Sequence, residues 1–339
     1  MKKVLLIFGL LLVLAGCGKT SESDIVRKFD KSVKDTKGYH LKGKLEINRN
    51  DNKYTYDVDS SYKIGDLFKV SLKNTTNDHE QIILKNSDAV YVLTPNLNKS
   101  FKFKSEWPYN NSQIYLLQPL VTDLKSDKNK IFKETKNGYV FTTKVDYTND
   151  KTLVKQKIYL DKDGKLVKVV VMDDNNNVVM KFNVIDLNMN ASFSNNYFKL
   201  DNKYLTDTKS NKDNEKNKND EKQEKTTSSI TDESVYPMYV PADTYLSSQD
   251  VVKTDDGERV IMTFAGESPF TLVQENMNNT MVDYISGDPY LVLDTVGAIT
   301  EDSVMWVSNN TEYYVTSDVM NIDELLTVAE SINVKAVAK

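Results

Sequence analysis

Between Tyr39 and about Asn190 the apolar positions recur every second residue. Leu41, Gly43, Leu45 and Ile47 alternate with Lys42, Lys44 and Glu46, and Tyr54, Tyr56, Val58, Ser60 and Tyr62 alternate with Thr55, Asp57 and Asp59. A period of two is that of half-buried strands. Further runs predict strands at Phe68–Lys73, Glu80–Lys85, Ala89–Thr94, Tyr139–Tyr147, Leu153–Leu160, Leu166–Met172 and Val178–Leu187. Turn signals at Asn137-Gly138, Asp163-Gly164 and Asp173–Asn177 lie between them. Short connections between successive strands predict an antiparallel meander. Two segments follow the helical period instead. Over Asp24–Lys37, Ile25, Val26, Phe29 and Val33 form one stripe, with Gly38 placed to end it; over Ser112–Leu124, Ile114, Leu117 and Val121 share a face, with Pro119 expected to kink or split the helix.

From Thr206 to Ser229 there is no apolar residue, and between Asp201 and Lys225 seven lysines face seven acids. Such a stretch cannot bury enough surface to offset its ordering entropy, so it reads as a disordered linker. Beyond it, strands are expected near Arg259–Phe264, Phe270–Gln274, Val304–Val307 and Glu312–Thr316. A closing helix has Asn321 as N-cap, Glu324 three residues on, and Ile322, Leu325, Leu326, Ala329 and Ile332 on one face.

The N-terminus is of another kind. Lys2 and Lys3 precede an apolar run from Val4 to Ala15, followed by Gly16 and Cys17, the single cysteine. The run is shorter than the about 20 residues a spanning helix needs, and its order is that of a secretory signal. Leu14-Ala15-Gly16-Cys17 resembles the lipobox of bacterial lipoproteins. That resemblance implies cleavage between Gly16 and Cys17, a diacylglyceryl thioether on Cys17, and attachment to the outer face of the cell membrane. Two or more acyl chains hold stably where one does not.

These boundaries divide the chain into a signal peptide (1–16), a tether (17–23), a β-rich domain (24–200), a charged linker (201–232) and a C-terminal α+β domain (233–339). About 320 residues remain after cleavage, enough for two ordinary domains. Losing Lys2 and Lys3 takes 44 cationic residues to 42 against 49 acidic ones, a net charge near −7. This argues against nucleic acid and against docking on anionic lipid by charge. With one cysteine there is no disulfide, so each domain depends on its own core. Lys and Asn abound while Arg27, Arg49 and Arg259 are the only arginines, which suggests AT-rich coding in a low-GC Gram-positive source.

A helix, a long antiparallel meander, one helix within it and the exit Asn196-Tyr197-Phe198-Lys199-Leu200 resemble the LolA/LolB/RseB group. The C-terminal segments Tyr236–Pro241, Arg259–Phe264, Pro269–Glu275 and Asn321–Ile332 resemble the small domain that follows LolA-like modules in Firmicute lipoproteins of the sporulation-associated YdcC type. GerS, a germination lipoprotein, is a shorter relative of the first half. The resemblance implies an α+β fold: a curved antiparallel half-barrel with covering helices, then the small domain. It implies no enzyme, but a protein that carries lipoproteins, senses lipids or binds a partner such as a cell-wall hydrolase or spore-envelope component. A chain that keeps its anchor cysteine cannot shuttle between two membranes.

The residues offer little for catalysis. His40 and His79 fall at a strand start and in a polar turn, and no nucleophile elbow, His-Glu-x-x-His or phosphate-binding glycine loop occurs. Asp59 and Asp66 form a carboxylate pair of the kind glycosidases use, one among many in a chain with 49 acids. Asp161-Lys162-Asp163-Gly164 begins like a calcium loop but lacks the later ligands, and reads as a hairpin turn. No metal or cofactor is expected. The aromatic content points elsewhere: 19 tyrosines lie largely on strands, and Glu106-Trp107-Pro108-Tyr109 places a bulky pair in a loop. Trp107 and Tyr109 are therefore the candidate contacts, either as a lid over the half-barrel or as a hot spot for a protein partner of the cell envelope. An acyl or lipid ligand in the concave face is the alternative. Cys17→Ala is expected to leave an uncleaved precursor or soluble material, read by lipid labelling and mobility; normal labelling of that variant contradicts the assignment.

Overall fold

The computed structural model describes residues 21–49, 52–95, 99–103, 105–109, 112–145, 147, 152–201, 234–254, 257–276, 282–285, 287–292, 295–308 and 311–332. The leader, Cys17 and all but the edges of the expected linker lie outside them.

The chain begins with α1 (Glu22–Asp35), whose N-terminus is capped by Ser21: its Oγ accepts from the Asp24 amide at 3.1 Å. Ile25, Phe29 and Val33 are buried along one stripe, as the period predicts. The helix stops at Thr36, before Gly38. The Thr36 hydroxyl bonds the carbonyl of Met189 at 2.5 Å and ties the helix end to the sheet. Gly38 instead opens the first strand, where a Cβ would stand 2.8 Å from the Ala191 carbonyl oxygen. Its role is close approach, not helix termination.

Six strands follow: β1 (Gly38–Arg49), β2 (Asn52–Lys63), β3 (Leu67–Asn74), β4 (Glu80–Lys85), β5 (Val90–Thr94) and β6 (Lys99–Phe103). After α2 (Leu117–Ser126) come β7 (Ile131–Thr135), β8 (Gly138–Lys144), β9 (Leu153–Leu160), β10 (Leu166–Asp173) and β11 (Val178–Asn188). β1 lies between β2 and β11, so two antiparallel meanders run outward from it and end at β6 on one side and β7 on the other. The chain must therefore cross from one edge to the other, and residues 105–109, 112–116 and α2 lie on the concave face between them. Buried side chains of α1, α2 and the inner faces of β1 to β6 and β8 to β11 share one core, including Phe29, Leu45, Phe101, Leu120 and Phe141. The sheet is open and curved around its helices.

α2 is shorter than the Ser112–Leu124 helix expected, and Pro119 neither kinks nor splits it. Pro119 sits in the first turn, where an amide has no intrahelical acceptor to lose. The exit after β11 crosses to the other side of the sheet: Phe198 is buried with Leu84, Tyr91 and Leu93, away from the helices.

The C-terminal part comprises β12 (Thr244–Thr254), β13 (Gly257–Gly266), β14 (Phe270–Asn276), β15 (Val282–Ile285), β16 (Asp288–Val292), β17 (Thr295–Ile299), β18 (Ser303–Ser308), β19 (Thr311–Thr316) and α3 (Ile322–Glu330). Seven of these strands make a second antiparallel sheet in the order β12-β13-β14-β19-β18-β17-β16. α3 covers one face with Leu325, Leu326, Val328 and Ala329, and starts with the expected capping box between Asn321 and Glu324. β15 leaves this sheet and pairs in parallel with β6 of the first.

The two sheets also share side chains. Val296, Ala298 and Val307, on the face opposite α3, enter the core of the first domain. Buried Gln81 on β4 donates to the Val296 carbonyl at 3.0 Å and accepts from the Val296 amide, as a neighbouring strand would. A chain cut between 202 and 233 is thus expected to remain one particle on size exclusion and to separate only in denaturant. Separate elution of two folded pieces without denaturant contradicts the shared core.

Candidate functional site

Where the half-barrel opens, its concave wall meets β16 and β17. Leu45, Ile47, Leu72, Ile83 and Met180 from the first sheet face Leu291 and Val296 from the second around a cavity of about 70 Å³. Pockets that take small organic ligands run to roughly 300–1,000 Å³. The apolar interior is occupied by the protein's own side chains.

Trp107 and Tyr109, singled out in the sequence, separate. Trp107 is 1% exposed and meets Phe68 edge-on at 6.0 Å. Phe68 continues a row through Tyr62 at 5.0 Å to Tyr39 at 5.4 Å beyond it, and the Tyr39 hydroxyl donates to Gln118 of α2 at 3.0 Å. Trp107 thus anchors the crossing segment to the sheet and is not itself a surface contact. Ser105, two residues earlier, accepts from the Trp107 amide at 3.0 Å and donates to Asp288 of β16, so the same loop also reaches the second sheet.

Tyr109 is 53% exposed, with Phe68 edge-on beneath its ring. Its hydroxyl donates to Asp66 Oδ1 at 2.6 Å. Lys85 Nζ lies 2.8 Å from the other Asp66 oxygen and 5.0 Å from the Tyr109 ring centre. Partial burial, then the hydrogen bond to the Asp66 carboxylate, hold the Tyr109 hydroxyl well above the usual tyrosine range, so it remains a neutral donor. Ile64, 59% exposed, stands in the same β2–β3 turn as Asp66. Tyr109 is thus an exposed ring clamped by Asp66 and Lys85, and the turn that supplies Asp66 carries a second exposed apolar side chain, Ile64.

The other candidates have local partners. His40 Nε2 is 2.6 Å from Asp59 Oδ1, while Asp66 serves Tyr109 and Lys85, so the two carboxylates are held by different groups. His79 sits in the β3–β4 turn, its amide bonded to Asn77. Asp161 Oδ1 accepts from the amides of Asp163 and Lys165 at 2.8 and 2.9 Å, closing the hairpin turn read from the sequence. Between the helices Asp30 bridges Lys34 at 2.9 Å and Lys125 at 3.2 Å; burial alone would raise its pKa, but these two bonds outweigh that and lower it. Among the described residues no three His, Cys, Asp or Glu side chains gather as a metal site, and no helix is long and apolar enough to cross a membrane. Gln81, Asp66 and Lys85 were not legible as partners beforehand. A lone amide at an inward position of β4 is the one hint that Gln81 has a buried mate.

No family model matches the chain. It is 33% identical over 337 residues to the sporulation protein YdcC of Bacillus subtilis (strain 168), covering 97% of this chain and 96% of that protein. The chain belongs to the YdcC family. Among solved structures it is similar to the MucA/MucB complex of Pseudomonas aeruginosa, with 12% identity, a TM-score of 0.32 and coverage of 93% of this chain and 99% of that one. It is also similar to the complex of the Clostridioides difficile CwlD amidase with the GerS lipoprotein, with 18% identity, a TM-score of 0.30 and coverage of 50% and 96%.

Trp107→Ala is expected to cost about 3–5 kcal/mol of stability, and Tyr109→Ala about 1 kcal/mol, by denaturant unfolding. Equal losses would contradict the assignment of Trp107 to the core and Tyr109 to the surface.

Proposed function

We propose that this chain is an extracytoplasmic lipoprotein, held on the cell membrane through Cys17, that binds and positions a protein partner of the cell envelope during sporulation and carries out no chemistry itself. The filled concave face is the observation that most favours this reading. The cavity left between the concave face and the second sheet, about 70 Å³, is too small for an acyl chain. That speaks for a partner engaged on the outer surface, and against the lipid-carrier alternative. The name of the Bacillus relative supports the sporulation setting, and the lipobox-like Leu14–Cys17 supports the anchor.

The surface assigned to the partner is the Tyr109–Ile64 patch. Truncating an interface hot spot costs about 2 kcal/mol or more, roughly a thirtyfold loss of affinity. Tyr109→Ala is therefore expected to lose envelope proteins that co-purify with the detergent-solubilised wild type while staying folded, its thermal midpoint lowered by only about 2–4 °C, and His40→Ala is expected to retain them. A folded His40→Ala or Asp59→Ala chain that loses all activity in sporulation would instead indicate catalysis. Unchanged co-purification by Tyr109→Ala and Ile64→Lys would remove the patch from the interface.

A further inference from the structure

Every open sheet has two edges whose backbone amides and carbonyls lack a neighbouring strand, and folded proteins guard them with charge, proline, shortness or a cover. Three of the four edges here are guarded. β7 has five residues, includes Lys133 and Glu134, and is flanked by Lys130 and Lys136. β15 is four residues long. β16 carries the buried Pro289 and lies against the first domain through Asp288 and Leu291.

β12 is the least guarded: its charges are Asp250 and Lys253 alone, and a single bulge lies near its start. It is 11 residues long, contains no proline and, among the described residues, pairs with β13 on one side only. No residue along it is buried, on either face. A bulge between Leu246 and Ser248 interrupts its first half, which leaves Ser248–Thr254 in regular register. Of the fifteen large apolar side chains exposed among the described residues, seven lie between Tyr236 and Val252: Tyr236, Met238, Tyr239, Tyr245, Leu246, Val251 and Val252. This concentration is not a slack segment. Gln274 of β14 bonds both the amide and the carbonyl of Val235, the Met238 amide donates to Ser331, and the Tyr236 hydroxyl donates to Gln249 on β12 itself. An apolar strip beside a long, sparsely charged edge that no described strand pairs is a place where another strand adds.

We propose that the strand added is β12 of a second copy of this chain, paired antiparallel about a two-fold axis so that the two C-terminal sheets become continuous. The unpaired groups of a strand edge match those of the same edge turned by a two-fold rotation, so such a contact is self-complementary without further design. Charge permits it as well. The chain carries a net −5, which resists close approach of two copies, but β12 holds one acid and one base, Asp250 and Lys253, and is neutral. An axis at Val251 sets Val251 against its own copy, Asp250 opposite Val252 and Gln249 opposite Lys253. No like charges face each other, and the paired stretch begins just past the bulge.

The inference does not depend on the envelope partner proposed above, whose surface is on the first domain. Directly opposed antiparallel residues have Cα atoms about 4.5–5.5 Å apart, within the span a disulfide bridges. The test uses the full chain in its membrane with Val251→Cys, mild oxidation and a non-reducing gel. The parent chain, with Cys17 alone, and Ile185→Cys, which is 68% exposed on β11, serve as controls. The expected result is a species of twice the chain mass at least tenfold more abundant for Val251→Cys than for either control. Sedimentation equilibrium in detergent should show the wild type as a dimer and Val251→Lys as a monomer, with an unchanged thermal midpoint. A monomeric wild type, a Val251→Cys chain that forms no more dimer than Ile185→Cys, or one that cross-links to a different polypeptide would each overturn the proposal. The cross-link decides it even where the lysine variant does not fold.

Discussion

A strongly curved sheet with one apolar face has to keep water off that face, and the rest of this structure follows from how it does so. The two meanders leave β1 in opposite directions, so the connection between their far ends must pass over the concave side. That path brings Trp107 and α2 onto the core, and α1 lies beside α2 with Asp30 bridged to both Lys34 and Lys125. The area still open at the mouth is covered by Val296, Ala298 and Val307 of the second sheet. The C-terminal domain is a structural part of the first one's core.

This arrangement separates packing from recognition. The apolar interior, the natural place for a greasy ligand in an open half-barrel, holds only a small residual cavity. The surfaces proposed for recognition lie outside it: the exposed Tyr109, clamped by Asp66 and Lys85, with Ile64, and the edge of β12 that no described strand pairs. Both are apolar groups on a rigid base, where immobilisation costs little on binding. Two such surfaces on one chain allow a partner and a second copy to be engaged together.

Much of the fold was legible from residue spacing. The strands of the first meander with one covered face alternate cleanly, and β4 and β9 fall at the expected residues. The strands that escaped detection share a physical reason. β12 has neither face covered, so nothing selects an alternation; β6, β7, β15, β16 and β17 have four or five residues, which leaves little length for a period to show. Pro119 was misleading because its effect depends on position within a helix, and only the observed start of α2 puts it in the harmless first turn.

For the candidate site the same division holds. Local composition singled out the Trp107 loop, but not which of its two aromatic side chains faces water. Whether the half-barrel is hollow depends on residues about 200 positions away in the chain, which meet it only after β16 and β17 dock. The sequence alone determined what is local: helix stripes, the Asn321 cap, the turns at Gly138 and Gly164, the alternation of strands, and an N-terminus resembling a lipoprotein signal. Only the tertiary structure decided that Trp107 is buried and Tyr109 exposed, that Gln81 mimics a strand edge for Val296, and that β12 has β13 as its one neighbour among the described residues. Those facts depend on contacts between segments far apart in sequence, which local periodicity does not encode.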